Sequence, residues 1–145
     1  MARPLRVDYP GAYYHVINRG NNQENIFKNK RDKEKFLEYL EKAGQRFSII
    51  IHTYCLMNNH YHLLVQTPEP NLSVAMQWIN VSYATYFNRK RGRHGHLFQG
   101  RFSPYFPHCS RLPRADQRVR CRKLFTWIAS DDRFDQTISL HIFWK

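Results

Sequence analysis

"MNNHYHLLVQ", residues 57–66, holds two histidines, His60 and His62, with one residue between them. A strand turns successive side chains to opposite faces, so the two imidazoles share a face about 6 to 7 Å apart. Leu64 and Gln66 continue that face. Tyr61, Leu63 and Val65 form the other, which is apolar enough to be the buried one. Upstream, "SIIIHTYCLM" (48–57) is rich in β-branched residues and reads as the partner strand. Asn58-Asn59 between them reads as a two-residue hairpin turn, because Asn tolerates positive φ. Two imidazoles on one strand face can converge on one divalent ion, and His with oxygen or water suits Mn, Mg or Zn. A bare His-x-His is also what two hydrogen-bonded sheet histidines look like.

Working outward, "AYYHVINR" (12–19) alternates, with Tyr14, Val16 and Asn18 on one face and Tyr13, His15 and Ile17 on the other. "GNNQEN" is a loop rich in turn residues. Residues 31–46 place Phe36, Leu40 and Ala43 at helical spacing, with Phe47 extending the stripe and charges opposite. After "PEPN", Asn71 can cap a second helix. That helix runs to about Arg89 with Leu72, Met76, Ile79, Tyr83 and Tyr86 as its stripe. "RFSPYF" (101–106) reads as a fourth strand that Pro104 confines to a sheet edge. The order is βαββαβ. It predicts an α+β fold, a ferredoxin-like antiparallel sheet with helices packed on one face.

Composition narrows the partner. The chain has 145 residues, 42% of them hydrophobic, which suits one domain with one core. No run of 18 apolar residues is present, so no membrane span is expected. The three cysteines are odd in number and form no CxxC pair, as suits a reducing cytoplasm. Lys plus Arg number 23 against 11 acids, a net charge of +12. Residues 89–123 carry most of the imbalance, with Asp116 as their one acid. A polyanion relieves such self-repulsion, and nucleic acid is the commonest. Arg89, Lys90, Arg91, Arg93, His94 and Arg101 are the candidate phosphate contacts. His94 and His96 imitate a second His-x-His, but they lie between glycines in a basic loop, where phosphate contact fits better than a metal.

Three stretches carry a resemblance. "YHVINRGNNQENIF" (14–27), the His-hydrophobic-His element at 60–62 and "GHLFQGRF" (95–102) resemble, in order and spacing, the single-tyrosine HUH transposases. That group includes insertion-sequence transposases and REP-associated tyrosine transposases. The likeness covers roughly residues 7–103. It implies a ferredoxin-like fold and a divalent ion, Mg or Mn, held by His60 and His62. It implies cleavage of single-stranded or hairpin DNA by a tyrosine, and a homodimer. It makes Asn18 and Arg19 of the "NRGN" stretch candidate DNA contacts. The family's third metal ligand varies, so His15 is a candidate, with a core histidine as the alternative.

The chain departs from that family after residue 103. The usual nucleophile lies in a helix after the fourth strand, within a "YIHLNP"-like stretch. No tyrosine follows Tyr105 here. Tyr83, Tyr86 and Tyr105 are the substitutes on offer, and the two helix tyrosines fit a packing stripe better. The expected organisation is a transposase-like domain at 1–106 and a divergent basic tail at 107–145, helical at 115–129. A frameshift in a mobile-element gene would produce such a change of character. Two functions compete: a metal-dependent DNA-nicking transposase and a DNA-hairpin binding module without chemistry. An RNA-binding ferredoxin-like domain is a weaker third, since it would favour exposed aromatics where this sheet carries histidines.

Overall fold

The computed structural model describes residues 10–105. The elements are β1 (Ala12–Arg19), α1 (Lys30–Phe47), β2 (Ile50–Leu56), β3 (His60–Thr67), α2 (Leu72–Arg91) and β4 (Ser103–Tyr105). A single 3-10 turn, Asn21–Gln23, follows β1. The sheet order is β2-β3-β1-β4, with every neighbouring pair antiparallel. This is the expected βαββαβ order. Pro104 sits on the edge strand β4, where its missing N–H breaks no inner ladder. The 107–145 tail, its expected helix at 115–129 included, lies outside the described residues.

Residues paired directly across antiparallel strands share a face. Tyr14↔Val65, Val16↔Leu63 and Asn18↔Tyr61 therefore line one side, where both helices pack. Tyr61, Leu63 and Val65 are fully buried there. From α1 come Phe36, Leu40 and Ala43, and from α2 Leu72, Ala75, Met76, Ile79, Tyr83 and Phe87. Phe87, rather than the expected Tyr86, takes the last inward position of α2. Tyr83 is the hub, with ring centroids 5.4 Å from Phe27 and 5.2 Å from Phe36. Its hydroxyl donates to the Ile26 carbonyl at 2.6 Å. Each fully buried side chain of this size contributes roughly 1.5–3 kcal/mol.

Two local expectations change. Neither Asn58 nor Asn59 has positive φ. The asparagines serve the turn through their oxygens instead. The Asn58 carbonyl accepts from Ile26 and Phe27 N–H at 2.8 and 2.9 Å, and the Asn59 carbonyl accepts from Gly20 N–H at 2.8 Å. The hairpin tip is thus tied to the segment after β1. Asn71 does precede α2, but its side chain makes no cap. Its amide donates to the Phe47 carbonyl at 2.8 Å, joining the start of α2 to the end of α1. The capping side chain belongs to Asn29, whose Oδ1 accepts from Asp32 N–H at 2.9 Å.

Asp32 is completely buried, yet charged. It closes the helix pair. Lys90 donates to Oδ1 at 3.0 Å and Arg91 to Oδ2 at 2.5 Å, both from the last turn of α2. The Lys28 N–H adds a third bond, 3.0 Å from Oδ2.

Candidate functional site

The second sheet face carries the histidines. His60 of β3 pairs with Arg19 of β1, His62 with Ile17, and Leu64 with His15. On the other flank Cys55 of β2 pairs with His62. Strand alternation therefore gathers His15, His60 and His62 on one face, with Arg19 at its end. The ring centroids of His60 and His62 are 5.1 Å apart, and those of His15 and His62 5.2 Å.

The hydrogen bonds sort the ring nitrogens. His60 Nδ1 lies 2.6 Å from Asn59 Oδ1, and His62 Nδ1 lies 3.0 Å from His15 Nε2. An amide oxygen only accepts, so with the Asn59 amide in this orientation His60 Nδ1 carries the proton. The Nε2 atoms of His60 and His62 make no hydrogen bond among the described residues. His15 does not converge with them, because its Nε2 is turned to His62 Nδ1. No group of three or more His, Cys, Asp or Glu side chains is placed to hold an ion among the described residues. A donor set of two imidazole nitrogens still fits a divalent ion that takes its other ligands from water and phosphate oxygens.

Burial keeps these rings neutral. It lowers the pKa of His15, and it lowers that of His60 with help from the Arg19 charge. Burial, then His15 and His60, lower that of His62 to about 4. Neutral imidazoles are the form that ligates metal. Below the ordinary value of 6.5 the unfolded chain takes up protons that folded His62 refuses until about 4. Stability therefore rises with pH across that interval.

The two basic stretches meet beside the histidines. The Phe98 backbone bridges Gly20, Asn21 N–H donates to the Leu97 carbonyl, and Gln99 N–H donates to that of Arg19. This extends β1 and brings "NRGN" against "GHLFQG". Gly20 is required by close approach, since a Cβ there would overlap the Glu24 carbonyl oxygen. The Arg19 guanidinium Nε donates to Gln99 Oε1 at 2.5 Å. Gln99 is a site residue that the sequence reading missed, although it stands inside a stretch already singled out. Asn18 is buried on the helix side of the sheet, and its Oδ1 accepts from Arg19 N–H.

The other basic candidates divide. Lys90 and Arg91 are held by Asp32, and Arg93 by Glu24 at 2.5 Å. Arg89, His94 and Arg101 are exposed, and none has an ion pair among the described residues. Tyr83 and Tyr86 lie on α2, across the sheet from the histidines. Tyr83 is fully buried, and burial raises its pKa far above the ordinary phenol value. The Tyr86 hydroxyl is 3.1 Å from Lys90 Nζ. Tyr105 pairs with His15 in backbone register.

Several solved structures share this fold. One is the REP-associated tyrosine transposase bound to a REP hairpin, 16% identical with a TM-score of 0.60. The match covers 83% of this chain and 68% of that one. Another is a candidate transposase from Deinococcus radiodurans R1, 12% identical with a TM-score of 0.55, covering 87% of this chain and 96% of that one. No curated protein matches the sequence. Residues 8–105 match the family described as "Transposase IS200 like", over the stretch that holds both histidines, the whole sheet and both helices. The chain belongs to the IS200-like transposase family.

Proposed function

We propose that the chain binds single-stranded or hairpin DNA across its histidine face and holds a divalent ion, Mg or Mn, between His60 and His62. The observation that carries this reading is the pair of Nε2 atoms that no described hydrogen bond uses, on the sheet face that ends in Arg19, whose charge is felt at His60. Arg19 offers N–H donors to a phosphate, with Gln99 fixing the guanidinium. Arg89 and Arg101 supply charge for the phosphate backbone, and His94 an exposed ring for polar contact. The ion, when bound, polarises a phosphate oxygen and stabilises developing charge. The hairpin DNA of the first structural relative supports DNA as partner. Family resemblance extends the proposal to a homodimer and to a place in the cytoplasm. Among the described residues no helix is long and apolar enough to cross a membrane.

For chemistry, the binding module without strand transfer is favoured. A phenol must reach the phosphate held at the histidines, and Tyr83 and Tyr86 are on the other side of the sheet. Tyr105 stays a candidate, on the strand beside His15. The family match stops at residue 105, close to residue 103 where the resemblance of the sequence ends. Incubation with a REP-type hairpin oligonucleotide and Mn is expected to give a complex on a native gel and little or no denaturation-resistant adduct. A strong adduct overturns the non-catalytic reading, and Tyr105→Phe then asks whether that residue formed it. Absence of any complex overturns the DNA reading itself.

The charge at the end of α2 and in the loop after it is tested by salt. Each phosphate contact adds roughly 0.7 to the slope of log affinity against log salt for a single strand. Replacing both Arg89 and Arg101 by Ala is expected to shallow that slope by about 1.4 units. Anisotropy titrations at several salt concentrations check it. An unchanged slope means that these charges face only solvent.

A further inference from the structure

We infer that Asn59 and His15 are positioning residues that set which ring nitrogen each of the two histidines presents. The inference deepens the metal reading above and rests on it for its consequence, though not for its geometry. A neutral imidazole has one N–H and one lone pair, and the hydrogen bond at one nitrogen decides which is which. A free histidine favours the proton on Nε2, which would block that nitrogen as a ligand. In this fold both Nδ1 atoms are occupied from outside the pair, His60 by Asn59 Oδ1 at 2.6 Å and His62 by His15 Nε2 at 3.0 Å. The His62 bond needs His15 Nε2 as its acceptor, with the His15 proton on Nδ1, and the reverse direction would put the His62 proton on Nε2. Protons held at both Nδ1 positions leave lone pairs on both Nε2 atoms. These are the nitrogens that no described hydrogen bond uses.

The supports are themselves anchored. Asn59 is pinned through its main chain, whose carbonyl accepts from Gly20 N–H at 2.8 Å. Its side chain can therefore change while the turn keeps its place. His15 is held in β1 between β3 and β4, paired with Leu64 and Tyr105. The competing arrangement has the Asn59 amide rotated, its NH2 donating to Nδ1 and the His60 proton on Nε2. Asp at 59 separates the two, because a carboxylate accepts and cannot donate. Outer partners of this kind are worth roughly 10- to 100-fold in metal affinity.

The test reads tautomers directly, by nitrogen NMR of the imidazoles in the metal-free protein above the histidine titration range. Wild type is expected to show His60 and His62 both protonated at Nδ1. Asn59→Ala is expected to move His60 toward the Nε2–H form and leave His62 alone, and His15→Phe to do the reverse. Asn59→Asp keeps His60 in the Nδ1–H form. Calorimetry with Mn is expected to find affinity about 10-fold or more weaker for Asn59→Ala and retained for Asn59→Asp. Nε2–H forms in wild type, or tautomers indifferent to both substitutions, overturn the inference. Correct tautomers in a protein that takes up no Mn leave the positioning intact and overturn the metal reading alone.

Discussion

An Asp32→Ala protein is expected to melt far below wild type. The carboxylate is fully buried and joins the Lys28 N–H just before α1 to Lys90, Arg91 and, at 3.5 Å, the Tyr86 hydroxyl of α2. Burial by itself would raise its pKa. The hydrogen bonds from Lys90, Arg91 and the Lys28 amide, with the Arg91 charge, overcome that and hold it below the ordinary value. Removing one side of a buried ion pair costs about 3 kcal/mol or more, because the remaining donors lose their acceptor. For a domain of this size that is a fall of roughly 12 to 24 °C in Tm. The sign with pH follows. A depressed folded-state pKa contributes stability above the unfolded value near 3.8, lost as pH falls below it through the folded one. Thermal melts by circular dichroism at neutral and strongly acid pH check both parts. A Tm within a few degrees of wild type would contradict the role given to Asp32.

Tyr83→Ala is expected to cost about as much or more, by a different route. The ring stands among Phe27, Phe36, Phe87 and Phe98, and no part of it reaches solvent. Truncating such an aromatic removes its transfer energy and leaves a cavity that rigid neighbours cannot fill. Costs of roughly 3–5 kcal/mol are usual. The Ile26 carbonyl also loses its donor. Tyr83→Phe keeps the ring and loses only that hydrogen bond, at about 1–3 kcal/mol if the carbonyl stays dry. Urea titrations of the two variants separate packing from hydrogen bonding. A small loss for the Ala variant would mean that the core closes over the gap.

The periodicities that reveal this fold are local, and local features were legible. The alternation in "HYHLLVQT" places His60 and His62 on one face, and β3 forms at the expected residues. The stripe Phe36, Leu40, Ala43 settles which face of α1 is inward. Illegible were the pairings that depend on how elements cross. An Asp in the first turn of a helix reads as an exposed partner of the helix dipole. Its burial under Lys90 and Arg91 follows only from the α1–α2 crossing. Asn58-Asn59 reads as a turn, but its backbone φ is ordinary, and its oxygens are used on Gly20, Ile26 and Phe27, far earlier in the chain, or on the next ring. His15 stands on the expected strand, and the bond between its Nε2 and His62 Nδ1 depends on the β1–β3 register. The expectation that the family nucleophile is lacking rests on composition after Tyr105, outside the described residues, so the sequence alone raises it.

The claim on which the functional account stands is that His60 and His62 together hold a divalent ion. Calorimetric titration with Mn tests it most directly, on wild type and on the double variant His60→Ala/His62→Ala. Both side chains are half-buried on the sheet face away from the main core, so the variant is expected to stay folded. The expected result is saturable Mn binding by wild type and none by the variant, with the two proteins giving matching circular dichroism spectra. No Mn binding by wild type, or undiminished binding by a folded double variant, would contradict the account.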